Sequence, residues 1–178
     1  MTESIIVNRL DEHGKHKPIL LDKIASFQRN NLTFTKMADS IDMYTDWQLP
    51  GKLNREYWTY FRSLIEPTMD KIAHTIGFTD SSYKWRIESS WFQQYLEGGT
   101  HGWHNHPRTH FANCYFLELP DEHYITEIVG ADGKICKIHA IEGDIITFPA
   151  WMKHRSKPNG VDRKTVICFN SNYEITGG

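Results

Sequence analysis

The sequence predicts an α+β chain, mainly β, with helices packed on an antiparallel sheet or barrel. From residue 18 to about 76 the apolar residues recur mostly at helical spacing. From about 83 onward they alternate or form short runs bounded by turn residues. Helices therefore come first and strands afterwards, which suits two layers and not a βαβ alternation. The chain of 178 residues suits a single domain, with about 1–80 as a helical part and about 83–175 as the β core.

The elements follow in order. "PILLDKIASFQRNN" places Ile19, Leu20, Ile24 and Phe27 on one helix face. "LNREYWTYFRSLIEPTMDKIAHTIGF" does the same with Tyr57, Phe61, Leu64, Ile65, Ile72 and Ile76. Asn54 is a candidate cap, Gly77 a candidate stop, and Pro67 a candidate kink or break near Glu66. "YKWRIESSWFQQY" and "FANCYFLEL" read as strands. "HYITEIV" and "KICKIHAI" flank "GADG" as a hairpin, and "DIITFPA" and "KTVICFNSNY" supply two more strands.

Composition narrows the function. Twenty basic residues stand against 22 acidic ones, so no broad phosphate-binding face is expected, although a single flipped base stays open. Cys114, Cys136 and Cys168 form no CxxC pair and sit in apolar runs, which predicts buried free thiols and a reducing, cytoplasmic setting. The start lacks an apolar leader, and no apolar run approaches the roughly 18 residues of a membrane span. Tyr57, Trp58 and Phe61 give the second helix an aromatic surface that suits either a homodimer contact or the core.

Chemistry concentrates in "HGWHNHPRTH", residues 101 to 110, with four of the ten histidines. On a strand, His104 and His106 share a face and can share a metal. A third ligand is expected from "GDIITFPAWMKHRSKP", where His154 follows a strand. His101 is out of register with His104, while His110 is in register and could be a fourth ligand or orient one. His139 reads as a strand residue with no metal. A polar loop would explain "HNH" alone, but the ordered downstream block favours a metal site. Arg163 and Thr165 share a strand face, and an arginine aimed into a barrel needs an anion such as a carboxylate. A surface ion pair with Asp162 or a neighbour is the alternative.

The series "WFQQYLEGG", "HNH", "YFLELP", "GDIITFPAWMKH" and "RKTVICFN" resembles the 2-oxoglutarate/Fe(II)-dependent oxygenases, especially short phage and bacterial members, over roughly residues 85–172. The resemblance implies a double-stranded β-helix, a jelly-roll or cupin-like barrel with the N-terminal helices packed on it. It implies a hydroxylase using Fe(II) and the small-molecule co-substrate 2-oxoglutarate on a substrate the sequence does not name. His104 takes the first ligand place and His154 the distal one. Arg163 and Thr165 take the places that bind the far carboxylate. Tyr95 stands where many members bind the co-substrate, with Gln93 and Tyr115 as further candidates. His106 stands where the family has Asp or Glu, which leaves iron or zinc open; Glu97 is a nearby carboxylate. Trp91, Trp103 and Phe111 are candidate pocket walls. A cupin-type three-histidine metalloprotein also fits, because Gly98, His104, His106, Gly143, Pro149 and His154 match the two-block spacing and His110 stands at the glutamate place. A non-catalytic β-barrel module is the third reading.

Overall fold

Two helices and eight strands follow one another in a computed structural model that describes residues 5–31, 40–78 and 83–176. The order is β1 (Ile6–Arg9), α1 (His13–Asn31), β2 (Ser40–Thr45), α2 (Glu56–Thr75), β3 (Tyr83–His104), β4 (Phe111–Glu118), β5 (Glu127–Ile128), β6 (Asp144–Pro149), β7 (His154–Ser156) and β8 (Lys164–Ile175). Residues 1–4, 32–39, 79–82 and 177–178, at the ends and within the expected helical part, lie outside the described residues.

All eight strands join one curled antiparallel sheet in the order β1-β6-β4-β8-β3-β7-β5, with β2 also on β3. Strand β3 makes the curl possible. Its first half pairs with β8, its middle with β2, and its end with β7. The architecture is the double-stranded β-helix with helices packed on it.

The sheet is buried on both faces, and side chains alternate between them. On β8, Ile167 and Phe169 face the helices, while Val166 and Cys168 face the interior of the curl. On β4, Tyr115 and Leu117 take the helix side, and Ala112, Cys114 and Phe116 the interior. Helix α2 supplies Tyr57, Trp58, Phe61, Ile65, Met69 and Ile72, all fully buried against the outer face. Helix α1 adds Leu20 and Ile24. Tyr57, Trp58 and Phe61 therefore belong to the core and offer no surface to a second copy.

Four local expectations change. The stretch read as mostly helical also contains β2, and β1 precedes it; both pair with core strands. Helix α2 runs through Pro67 and starts after Arg55, with Asn54 in a short 3-10 turn. Gly77 does stop it, at φ +108°, where Phe78 N–H reaches back to Ala73 O at 3.0 Å. "KICKIHAI" forms no strand: a single bridge, Val129 to Ile135, closes the expected hairpin, and Ile135 and Ile141 are exposed. Among the described residues no helix is long and apolar enough to cross a membrane.

Asp46 ties the layers together. Its carboxylate accepts from Phe92 N–H of β3 at 2.9 Å, from Tyr57 O–H of α2 at 2.5 Å and from the Arg55 guanidinium. Arg55 also donates to Leu49 O at 2.7 Å and Asp46 O at 3.0 Å. Removing one side of a buried ion pair strands the other charge. Arg55→Met should destabilise the fold by about 3–5 kcal/mol, read from the midpoint of urea unfolding.

Candidate metal centre

Strands β3 and β7 bring the candidate metal ligands together. His104 and His154 are Cα partners directly across the β3–β7 ladder, and their ring centroids lie 4.2 Å apart. His106 lies two residues past the end of β3, where its N–H donates to Ala150 O at 2.9 Å. One ligand atom from each of His104, His106 and His154 falls within 4.8 Å of the others. His106 Nε2 and His154 Nε2 are 3.1 Å apart.

The donor set fits a divalent metal. His104 Nδ1 donates to Gly102 O at 2.8 Å, and His154 Nδ1 donates to Met152 O at 3.0 Å. Each bond fixes the tautomer that leaves Nε2 with a lone pair. On His106, Nδ1 lies 3.2 Å from the Asn170 side-chain amide, whose Oδ1 is buried without a partner. With that amide turned over, Oδ1 accepts from His106 Nδ1–H and the third Nε2 is freed. Nitrogens about 2.1 Å from a metal and at right angles lie about 3 Å apart, the spacing of His106 and His154. Burial pushes His106 and His154 down to about 3, with mutual repulsion adding to it, so both rings are neutral and ready to ligate.

A fourth histidine joins the cluster. His101 stacks on His104 at 4.0 Å between centroids, because the β3–β7 register shifts between the two residues and turns them to one side. On a regular strand they would point apart. Burial pushes His101 down to about 3 as well. Its Nδ1 lies 3.1 Å from Gln93 Nε2, and Tyr95 O–H donates to Gln93 Oε1 at 2.9 Å. Trp91 stacks on His106 at 5.5 Å, and Trp47, which the sequence reading missed, packs edge-on against Trp91 at 4.3 Å.

Gln93, Tyr95 and Trp91 line the same pocket as the histidines. Other expected residues lie elsewhere. Arg163 is on the outside, its side chain 46% exposed, with Nε and Nη2 on the two Glu118 oxygens at 2.9 and 2.8 Å. Thr165 is buried but donates to the same Glu118. Tyr115 faces the helices, stacked on Phe61 at 4.7 Å and 2.6 Å from His13 Nδ1 through its hydroxyl. Phe111 packs on Tyr173 in the helix-side layer. Trp103 is exposed under Arg155. Glu97 is exposed, and no carboxylate joins the histidine cluster among the described residues. His110 Nδ1 accepts from Tyr173 N–H, away from the pocket, and His139 is exposed outside any strand.

The residue between Arg163 and Thr165 faces the pocket instead. Lys164 is 1% exposed. Its ammonium donates to Tyr124 O at 2.9 Å and to Ser156 Oγ, and lies 4.3 Å above the centre of the Tyr95 ring. Among the described residues it has no carboxylate partner. Burial pushes it down to about 8.

No family model matches the sequence, and no curated protein matches it. Solved structures do. A Pseudomonas putida prolyl-4-hydroxylase aligns over 96% of this chain and 94% of its own at 14% identity and TM-score 0.66. The chain has the fold of the 2-oxoglutarate/Fe(II) oxygenases. A Trichoplax adhaerens prolyl hydroxylase, in complex with a hypoxia inducible factor oxygen degradation domain peptide fragment, shares that fold over 95% of this chain and 84% of its own, at 13% identity and TM-score 0.69. A 2OG-Fe(II) oxygenase family protein from Burkholderia pseudomallei aligns over 65% of this chain at 11% identity and TM-score 0.56, and the chain spans 56% of that protein's length.

Two outcomes follow for this histidine cluster. His154→Ala should abolish stoichiometric iron or zinc binding, measured by elemental analysis after dialysis. The three depressed imidazoles also set an acid limit for the metal-free protein. Between about pH 6.5 and 3 the unfolded chain takes up protons that the folded one refuses, so stability is present above that window and falls as pH falls through it. His101→Gln should flatten that dependence in unfolding titrations at pH 7, 6 and 5.

Proposed function

We propose that the chain is a non-haem Fe(II)- and 2-oxoglutarate-dependent oxygenase. Its metal is held by His104, His106 and His154, and its co-substrate by Lys164. The observation that carries this reading is Lys164: a buried cation with no carboxylate partner among the described residues, lining one pocket with three convergent imidazoles. A buried ammonium facing only neutral groups is costly, and an entering carboxylate relieves that cost. Lys164 thus takes the role that the sequence assigned to Arg163.

When bound, iron and 2-oxoglutarate supply the oxidising power to hydroxylate a C–H bond. The protein supplies position and dryness. The carbonyls of Gly102 and Met152 hold two imidazoles in the ligating tautomer. Ser156 Oγ and the Tyr95 ring hold the Lys164 ammonium in place for the far carboxylate. Trp91 and Trp47 wall the His106 side. The buried thiols of Cys114 and Cys168, which form no disulfide, suit a reducing, cytoplasmic setting.

A second reading, a three-histidine metalloprotein that takes no 2-oxoglutarate, is favoured by the all-imidazole donor set. Anaerobic titration of the iron-loaded protein with 2-oxoglutarate separates the two, through the visible charge-transfer band of the chelate. A saturable band supports the oxygenase. Bound iron without a band selects the second reading.

Lys164→Met should keep the metal and weaken 2-oxoglutarate binding roughly 10- to 100-fold, the worth of a hydrogen bond to a charged group. Arg163→Met should leave both unchanged. Because the ammonium is held down to about 8, co-substrate affinity should fall as pH rises beyond that value in the wild type, and not in Lys164→Met.

A further inference from the structure

Cys114 and Cys168 stand directly opposite each other on β4 and β8, as Cα partners in an antiparallel ladder. Partners in such a ladder have Cα atoms about 4.5 or 5.5 Å apart, and both spacings lie within the roughly 4.4–6.8 Å that a disulfide spans. Both side chains lie on the inner face, line the metal pocket and touch each other. Neither thiol has a role in holding the metal or the co-substrate. Cys168 Sγ lies 3.7 Å from Gln93 Oε1, and Cys114 Sγ accepts from Thr126 Oγ1 at 3.8 Å.

We propose that Cys114 and Cys168 are a redox pair that closes to a disulfide within the pocket when hydrogen peroxide enters it. The two sulfurs are not equivalent. The Cys168 S–H group, the Thr126 hydroxyl and the Lys164 ammonium together pull the Cys114 thiol down, while Cys168 is pushed well up. Cys114 is therefore the attacking sulfur. Its thiolate takes one peroxide oxygen as the O–O bond breaks. The departing hydroxide is protonated to water, and Cys114 becomes a sulfenic acid. Cys168 then displaces that hydroxyl, losing its proton, and a second water leaves as the S–S bond forms. Two thiols lose two electrons, and one peroxide is reduced to two waters.

The bridge would tie the neighbouring strands β4 and β8 together and remove the S–H group beside Gln93, which reaches His101 in turn. Cys136 lies outside this pocket and serves as the internal control.

The test uses the full chain, treated with a chelator so that peroxide meets no iron. After a short exposure to a few equivalents of peroxide, the protein is unfolded and alkylated, and its peptides are weighed. The expected result is loss of two of the three reactive thiols, a peptide pair joined through Cys114 and Cys168, and full recovery with dithiothreitol. Cys136→Ser should behave like the wild type, while Cys114→Ser and Cys168→Ser should give no joined pair. Free Cys114 and Cys168 after oxidation of Cys136, or sulfinic acid at either without a bridge, would overturn the proposal. The readout involves neither bound iron nor 2-oxoglutarate, so its failure is distinct from failure of the proposed activity.

Discussion

Burial of β8 on both faces from Lys164 to Tyr173 is the constraint on which the site depends. The helices seal one face with Ile167 and Phe169, so water cannot reach the strand from behind. The other face presents Lys164, Val166, Cys168 and Asn170 to the interior of the curl. Polar groups placed there lose solvent on nearly every side. Desolvation is accordingly the first cause of the shifts at His101, His106, His154, Lys164 and Tyr95. The same dryness neutralises the imidazoles, and among the described residues the lysine has no carboxylate partner. The packing of α2 against the sheet is therefore part of the chemistry of the site as well as of its stability.

The charges lining the pocket form a one-sided set. Three neutral imidazoles contribute no negative charge to a divalent metal, and Lys164 adds a positive one. A carboxylate in place of His106 would offset part of this within the protein. Here the offset must arrive with the ligand, which makes a dianion a better fit than a neutral molecule. Arg163, by contrast, has its charge already matched by both oxygens of Glu118 in a fork geometry, at a half-exposed position. It has little reason to seek another carboxylate.

The sequence makes the fold class, the helix-then-strand order and the three convergent histidines legible, because each rests on periodicity or on spacing over a short range. The face of β8 is not legible by alternation, since both faces are buried and neither is polar throughout. An error of one residue in facing moves every side chain to the other side, and this exchanges Lys164 for Arg163 and Thr165. Tyr115 is misplaced on β4 for the same reason. A usable signal lies in side-chain size. Positions 166, 168 and 170 are small or polar and suit a pocket, while Ile167 and Phe169 suit packing on helices. His101 escapes for a different reason, because a register shift in a long strand leaves no mark in the residue pattern. β2 escapes because its sheet partner lies about 50 residues away in sequence, beyond any local period.

The candidate metal ligands are aimed largely by backbone. His104 and His154 face each other across the ladder, and each donates Nδ1–H to the carbonyl two residues before it. This repeated device makes ring orientation a consequence of strand register, with no carboxylate needed to hold either ring. The shift between His101 and His104 is then what sets His104 opposite His154, and it also stacks His101 onto the ligand. His106 is oriented by a side chain, Asn170, and that residue comes from β8, the strand that also carries Lys164. The third ligand and the cation are thus fixed to one strand face, six residues apart, so any change in the facing of β8 would remove both at once.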